Sequence, residues 1–231
     1  MSSIAENIKS ILERIRKTAE KVGRNPSDVK LVAVSKTVDV NRIKEAVISG
    51  VTILGENRVQ EAQKKVMSDE LRVMSDRIKW HMVGHLQTNK AKTAVQLFDL
   101  IHSIDSLSLA EEIDRQAKKV GKIQRVLVEV NLGGEETKHG VSKEGTISLL
   151  KEMSKLKNIS VEGLMTMPPF SENPEDARPH FKELKNLIDE AVKAGLGLTK
   201  LSMGMSNDFE VAIEEGATMV RIGTGIFGER K

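Results

Sequence analysis

Leu201-Ser-Met-Gly-Met-Ser206, continuing as Asn-Asp-Phe-Glu-Val-Ala-Ile-Glu-Glu-Gly216 and Ala-Thr-Met-Val-Arg-Ile-Gly-Thr-Gly-Ile-Phe-Gly228, reads as one strand-turn-helix unit used twice. In each copy a short apolar strand ends in small residues, and backbone N–H groups are left pointing outward where a helix begins. The helix dipole favours an anion at such a place. The stretch is therefore read as a phosphate grip.

Upstream of this stretch the same alternation continues. Lys30-Leu-Val-Ala-Val-Ser-Lys36 is a short β-branched run of the kind buried on both faces of a parallel sheet. Strand-like runs recur at 51–54, 78–83, 100–104, 126–131, 160–165, 200–203 and 219–222. Helical patterns fall between them, at 40–48, 58–66, 89–97, 107–120, 143–156, 174–194 and 208–215. An additional N-terminal helix is expected over about residues 3–22, where Ile4, Ile8, Ile11, Ile15 and Ala19 share one face before Gly23 and Pro26. The strand count reaches eight, which in 231 residues predicts a single α/β domain, a (β/α)8 TIM barrel spanning 1–231. An open doubly wound sheet also alternates in this way, but no Gly-x-Gly-x-x-Gly follows the first strand.

Composition narrows the function classes. Basic residues number 36 against 33 acidic, and they are interspersed, which argues against a specific nucleic-acid stripe. No cysteine is present, so thiol nucleophiles and cysteine metal sites are excluded. The N-terminus lacks the charged-then-apolar pattern of a signal peptide and no apolar run is long enough to span a bilayer, giving a cytoplasmic, membrane-free expectation.

In a barrel, function gathers at the C-terminal ends of the strands. The residues expected there are Lys36, Gly55-Glu-Asn57, Gly84-His85, Asn131, Met165-Thr-Met167, Arg221 and Gly223-Thr224. Closure makes the first and last strands neighbours, which brings Lys36 beside the grip. A lysine that loses hydration at a buried strand end has a lowered pKa and can attack an aldehyde. Next to a phosphate cradle it suggests a Schiff base with a phosphorylated aldehyde, pyridoxal phosphate being the commonest such cofactor. A lysine that merely snorkels past the strand end reads equally well.

Six segments, in order, resemble one family. They are Val32-Ala-Val-Ser-Lys36, Gly55-Glu-Asn-Arg-Val-Gln-Glu61, Trp80-His-Met-Val-Gly-His-Leu-Gln-Thr-Asn-Lys90, Gly163-Leu-Met-Thr-Met167, Ser202-Met-Gly-Met-Ser206 and Val220-Arg-Ile-Gly-Thr224. Together they resemble the pyridoxal phosphate homeostasis proteins, which look like the N-terminal barrel of alanine racemase without its second domain. The resemblance implies that Lys36 carries pyridoxal 5'-phosphate as an aldimine, that Ser206, Gly223 and Thr224 hold the phosphate, and that Arg221 faces the pyridine nitrogen. It also implies that Asn57, His85 and Met203 line the pocket. Met82, Val83, Asn207 and Gly225 depart from the family pattern without removing an implied ligand.

An arginine in that position disfavours pyridine protonation and restrains carbanion chemistry. The chain also has no tyrosine, the residue that alanine racemase uses as its opposite-face base. The favoured reading is thus a non-catalytic protein that holds the cofactor, buffers it and passes it to apo-enzymes, with a monomer expected. The alternatives are a pyridoxal phosphate-dependent amino-acid racemase, with His85, His139 or Lys138 as substitute acid or base, and an aldolase-like barrel. His81, His102 and His180 are expected as hydrogen-bonded structural positions. No histidine pair has metal-ligand spacing with a third partner, so no metal is expected. The basic loop Lys138-His139-Gly140 could steer an anionic cofactor or be an ordinary solvated loop.

Overall fold

The computed structural model describes residues 3–133 and 139–229. Lys138 lies outside the described residues. In chain order the strands are β1 (Lys30–Val34), β2 (Ile53–Glu56), β3 (Lys79–Met82), β4 (Leu100–Ile104), β5 (Gln124–Asn131), β6 (Val141–Ser142), β7 (Ile159–Met165), β8 (Lys200–Ser202) and β9 (Met219–Ile222). All pairings are parallel, and the order β4-β3-β2-β1-β9-β8-β7-β5 closes through β4 against β5. The two-residue β6 pairs only with β5, which leaves the expected eight-stranded barrel. Closure at β1 and β9 sets Val32 beside Arg221 and Ala33 beside Ile222.

The helices are α1 (Ile4–Lys21), α2 (Val40–Ile48), α3 (Val59–Val66), α4 (Asp69–Arg72), α5 (Ala91–Leu97), α6 (Leu107–Lys119), α7 (Lys143–Met153), α8 (Arg178–Lys193), α9 (Phe209–Glu214) and α10 (Thr224–Phe227). Sequence periodicity misses α4. It also extends α8 back over residues 174–177, which form a separate 3-10 turn with Pro174 at its start. No helix among the described residues is long and apolar enough to cross a membrane.

Period-two alternation sorts each strand between two cores. Outward residues such as Ala33, Leu54, Ile101, Val128 and Val220 join the helices in the larger core. Inward residues Val32, Val83, Leu100, Leu127, Met165 and Met219 fill the barrel itself. The barrel interior also carries polar groups that are paired in layers. Glu162 accepts from Arg125 at 2.7 and 3.0 Å and from Lys200. His81 and His102 meet at 3.0 Å, and His102 Nδ1 lies 2.8 Å from Ser202 Oγ. Burial holds both imidazoles neutral, pushing His81 down to about 4 and His102 well below its ordinary value. Both are hydrogen-bonded structural positions, as the sequence suggests.

The N-terminal helix α1 starts with a Ser3–Glu6 capping box, each side chain bonding the other's backbone N–H. Its isoleucine face packs over the closing seam, where Ile11 approaches the turn at Gly225 and Asn7 donates to the Ile226 carbonyl at 2.9 Å. Arg14 clamps Glu210 of α9 with two bonds. The helix therefore braces α9 and, at Gly225 and Ile226, the single turn α10.

Candidate functional site

Lys36 follows β1 and continues the inward alternation of Val32 and Val34. It is half-buried and opens on a cavity of about 870 Å³, together with Val34, Thr37, Arg42, Gly223 and Thr224. Lys36 and the last turn thus share one space, although they lie at opposite ends of the chain. A Cβ on Gly223 would stand 3.3 Å from the Val34 carbonyl oxygen, so the small residue there permits the close approach of the two strand ends.

The two turns of the grip meet at Ser206. Its hydroxyl accepts from Thr224 Oγ1 at 3.1 Å and from the Gly225 amide at 3.2 Å. Helix α10 is a single turn, so hydroxyl and amide donors, more than an extended helix dipole, define the cradle. Arg42 adds a guanidinium to the cavity wall and is anchored on the Phe227 carbonyl. The Lys36 amine, the Arg42 guanidinium and the Thr224 hydroxyl face one space, with Ser206 bonded to Thr224 at its edge, a set that suits an anionic ligand carrying a carbonyl.

Beneath this space the inner polar layer ends at Arg221. Its guanidinium donates to Ser202 Oγ at 2.7 Å and to the Thr166 carbonyl at 2.9 Å, and it is fully enclosed in the barrel. Burial lowers its pKa to about 10, against the opposing pull of Glu129 and Asp208. It remains a cation at neutral pH. Glu129 is buried nearby with Oε2 unpartnered among the described residues, and burial raises its carboxyl to about 7.

Asn57 and His85 line a second cavity of about 740 Å³, over the ends of β2 and β3. A Cβ at Gly84 would stand 2.6 Å from the Asn57 carbonyl oxygen, so the glycine lets the two loops touch. Met203 is placed differently. It is completely buried with the outward-facing core between strands and helices, and it lines neither cavity. The expected residues thus divide into Lys36, Gly223, Thr224 and Ser206 at the cradle, Arg221 below it, Asn57 and His85 beside it, and Met203 behind the wall.

A group of supporting residues is absent from the sequence expectations. The Lys65 ammonium of α3 is buried and donates to Ser35 O, Glu56 Oε1 and Glu61 Oε1 at 2.6, 2.7 and 2.6 Å. Ser35 Oγ donates to Glu56 at 2.6 Å, and Glu61 accepts from the Thr37 amide. Burial pushes the Glu56 carboxyl up, partly offset by Lys65. Glu61 stays below its ordinary value because the bonds from Lys65 and Thr37 outweigh its burial. Thr37 holds φ at 62°, a left-handed conformation that costs a β-branched residue about 1–3 kcal/mol. The strained turn is held on both sides of Lys36. Glu61, four residues before Lys65 on α3, was the available signal, whereas Glu56 reaches the lysine from β2.

The chain matches the family described as alanine racemase, N-terminal domain, over residues 6–231. It is 50% identical over 227 residues to the pyridoxal phosphate homeostasis protein of Aquifex aeolicus, covering 98% of each chain. Among solved structures, it superposes on an unknown protein from Bifidobacterium adolescentis with a TM-score of 0.91 at 36% identity, covering 97% of this chain and 94% of that one. It superposes on PipY of Synechococcus elongatus with pyridoxal phosphate bound with a TM-score of 0.83 at 35% identity, covering 98% of this chain and 100% of that one. With barrel, cradle and lysine arranged as described, the chain belongs to the alanine racemase N-terminal domain family and, within it, to the pyridoxal phosphate homeostasis proteins.

Proposed function

We propose that this chain binds pyridoxal 5'-phosphate reversibly and serves the intracellular homeostasis of that cofactor without turning over a substrate. The observation that carries the reading is the shared cavity of Lys36, Gly223 and Thr224, with Ser206 bonded to Thr224 at its edge. Lys36 would hold the cofactor through its aldehyde, which supplies reversible carbonyl–amine chemistry when bound. Ser206, Thr224 and the turn at Gly223 hold the phosphate, with Arg42 contributing charge. Asn57 and His85 border the ring's side of the site.

Two features support holding over turnover. Arg221 is pinned by Ser202 and Thr166 in the barrel interior, and a fixed cation there opposes protonation of a basic nitrogen brought against it. The chain also has no tyrosine to act as an opposite-face base. In this reading the protein keeps a reactive aldehyde sequestered and releases it to apo-enzymes, acting as a monomer in the cytoplasm.

The purified protein is expected to be yellow, or to become so when pyridoxal phosphate is added, and borohydride should fix the label on Lys36. A protein that stays colourless with added cofactor would sink the binding reading. A panel of D- and L-amino acids tested for α-proton exchange separates holding from catalysis, since robust exchange contradicts the non-enzymatic reading.

A further inference from the structure

Three consecutive strand ends bring together residues that the sequence keeps far apart. His85 follows β3, Asp105 follows β4 and His139 lies in the connection after β5, just before β6. One ligand atom from each lies within 4.8 Å of the other two. The rings of His85 and His139 stack with centroids 3.6 Å apart and planes 8° from parallel, and His85 Nδ1 stands 3.3 Å from Asp105 Oδ2. We propose that His85, Asp105 and His139 form a binding site for a divalent transition-metal cation of the zinc class, at the barrel mouth.

One edge of the cluster already has the spacing of two ligands on a shared ion. The separation of 3.3 Å between His85 and Asp105 exceeds the about 2.7–3.2 Å usual for N–H···O. It matches the ligand-to-ligand edge of about 3.3 Å that follows from tetrahedral zinc with bonds near 2.0–2.1 Å. Two imidazoles and one carboxylate are ligands that suit zinc, nickel or copper, and three protein ligands leave a fourth position for water. A face-to-face pair of imidazoles is also a poor arrangement by itself, because ring quadrupoles prefer an offset. Lone pairs in parallel planes do not converge, so capture of the ion turns the His139 ring out of the stack and ties the ends of β3, β4 and β5 together.

The test is a zinc titration of the full chain freed of pyridoxal phosphate, against a chromophoric chelator, with cobalt(II) as a spectroscopic substitute. His85 borders the proposed cofactor pocket, but the titration needs no cofactor, so the two readings stand or fall separately. One zinc per chain is expected. His139→Ala and Asp105→Asn should each weaken binding by about 100-fold and abolish the visible cobalt bands, whereas His180→Ala leaves both unchanged. Circular dichroism shows whether the loop variants keep their fold. Absence of zinc retention at micromolar metal would overturn the proposal, as would equal affinity in the wild type and both loop variants.

Discussion

The ammonium of Lys65 lies 2.6 Å from the carbonyl oxygen of Ser35, the residue immediately before Lys36. A cation from α3 thus fixes the end of β1 from outside the barrel, and its other two bonds go to Glu56 and Glu61. The charge network thus sets the backbone on both sides of Lys36, and it meets the cavity wall at Thr37, whose amide donates to Glu61.

Replacing Lys65 with Met leaves two carboxylates facing each other without their shared cation. Breaking a buried ion pair in this way costs about 3–5 kcal/mol, or roughly 10 °C in Tm for a chain of this size. Calorimetry should show that loss and equilibrium dialysis a weaker hold on pyridoxal phosphate. An unchanged Tm would mean the network does not support β1.

Gly84→Ala places a methyl group 2.6 Å from the Asn57 carbonyl oxygen and 2.7 Å from its Cα. Backbone must move to admit it, at a cost of about 1–3 kcal/mol. Urea denaturation should register the loss, while an isosteric change on the exposed face of α6 should not.

Glu129 gives a pH signature. Its folded pKa of about 7 lies above the ordinary carboxyl value of 4.5, because burial and the nearby Asp105 outweigh Arg221. The folded state therefore binds the extra proton between those values, and stability present below pH 4.5 is lost as pH rises through about 7. In cofactor-free protein, Glu129→Gln should gain on the wild type by about 1.4 kcal/mol per pH unit across that window and remain level above it. A constant difference at every pH would show that the carboxyl titrates normally.

Changing Ser206 and Thr224 together to Ala removes both hydroxyl donors of the cradle. Retention of pyridoxal phosphate should fall by roughly 100-fold, since hydrogen bonds to charged groups contribute about 1.5–3 kcal/mol each. Retention of pyridoxal, which lacks the phosphate, should change by less than about threefold. Equal losses for the two ligands would contradict the cradle assignment.

Much of the barrel was legible because most strands are short, largely apolar runs set off by glycine or proline in the turns. The meeting of Ser206 and Thr224 was legible for the same reason, since both stand where apolar runs stop. Met203 shows where the pattern is too short to read. It neighbours Ser202 in sequence, but alternation turns Ser202 into the barrel and Met203 into the outer core, and a three-residue strand gives too short a pattern to choose between the faces. The ion network around Lys65 and the cluster at His85, Asp105 and His139 depend on which loops closure brings together. The cluster has no sequence spacing that reports this, and the network shows only its i,i+4 pair, Glu61 and Lys65.

The seam between β1 and β9 also has a consequence in time. Synthesis delivers Lys36 early and Thr224 almost last, and domains emerge from the ribosome N-terminal part first. Until β9 docks, β1 and β8 are open sheet edges, able to pair with other chains. The cradle is formed by the same event that removes those edges. A ligand that engages both Lys36 and Thr224 therefore binds only chains whose barrel has shut, and its binding free energy adds to the stability of that finished state.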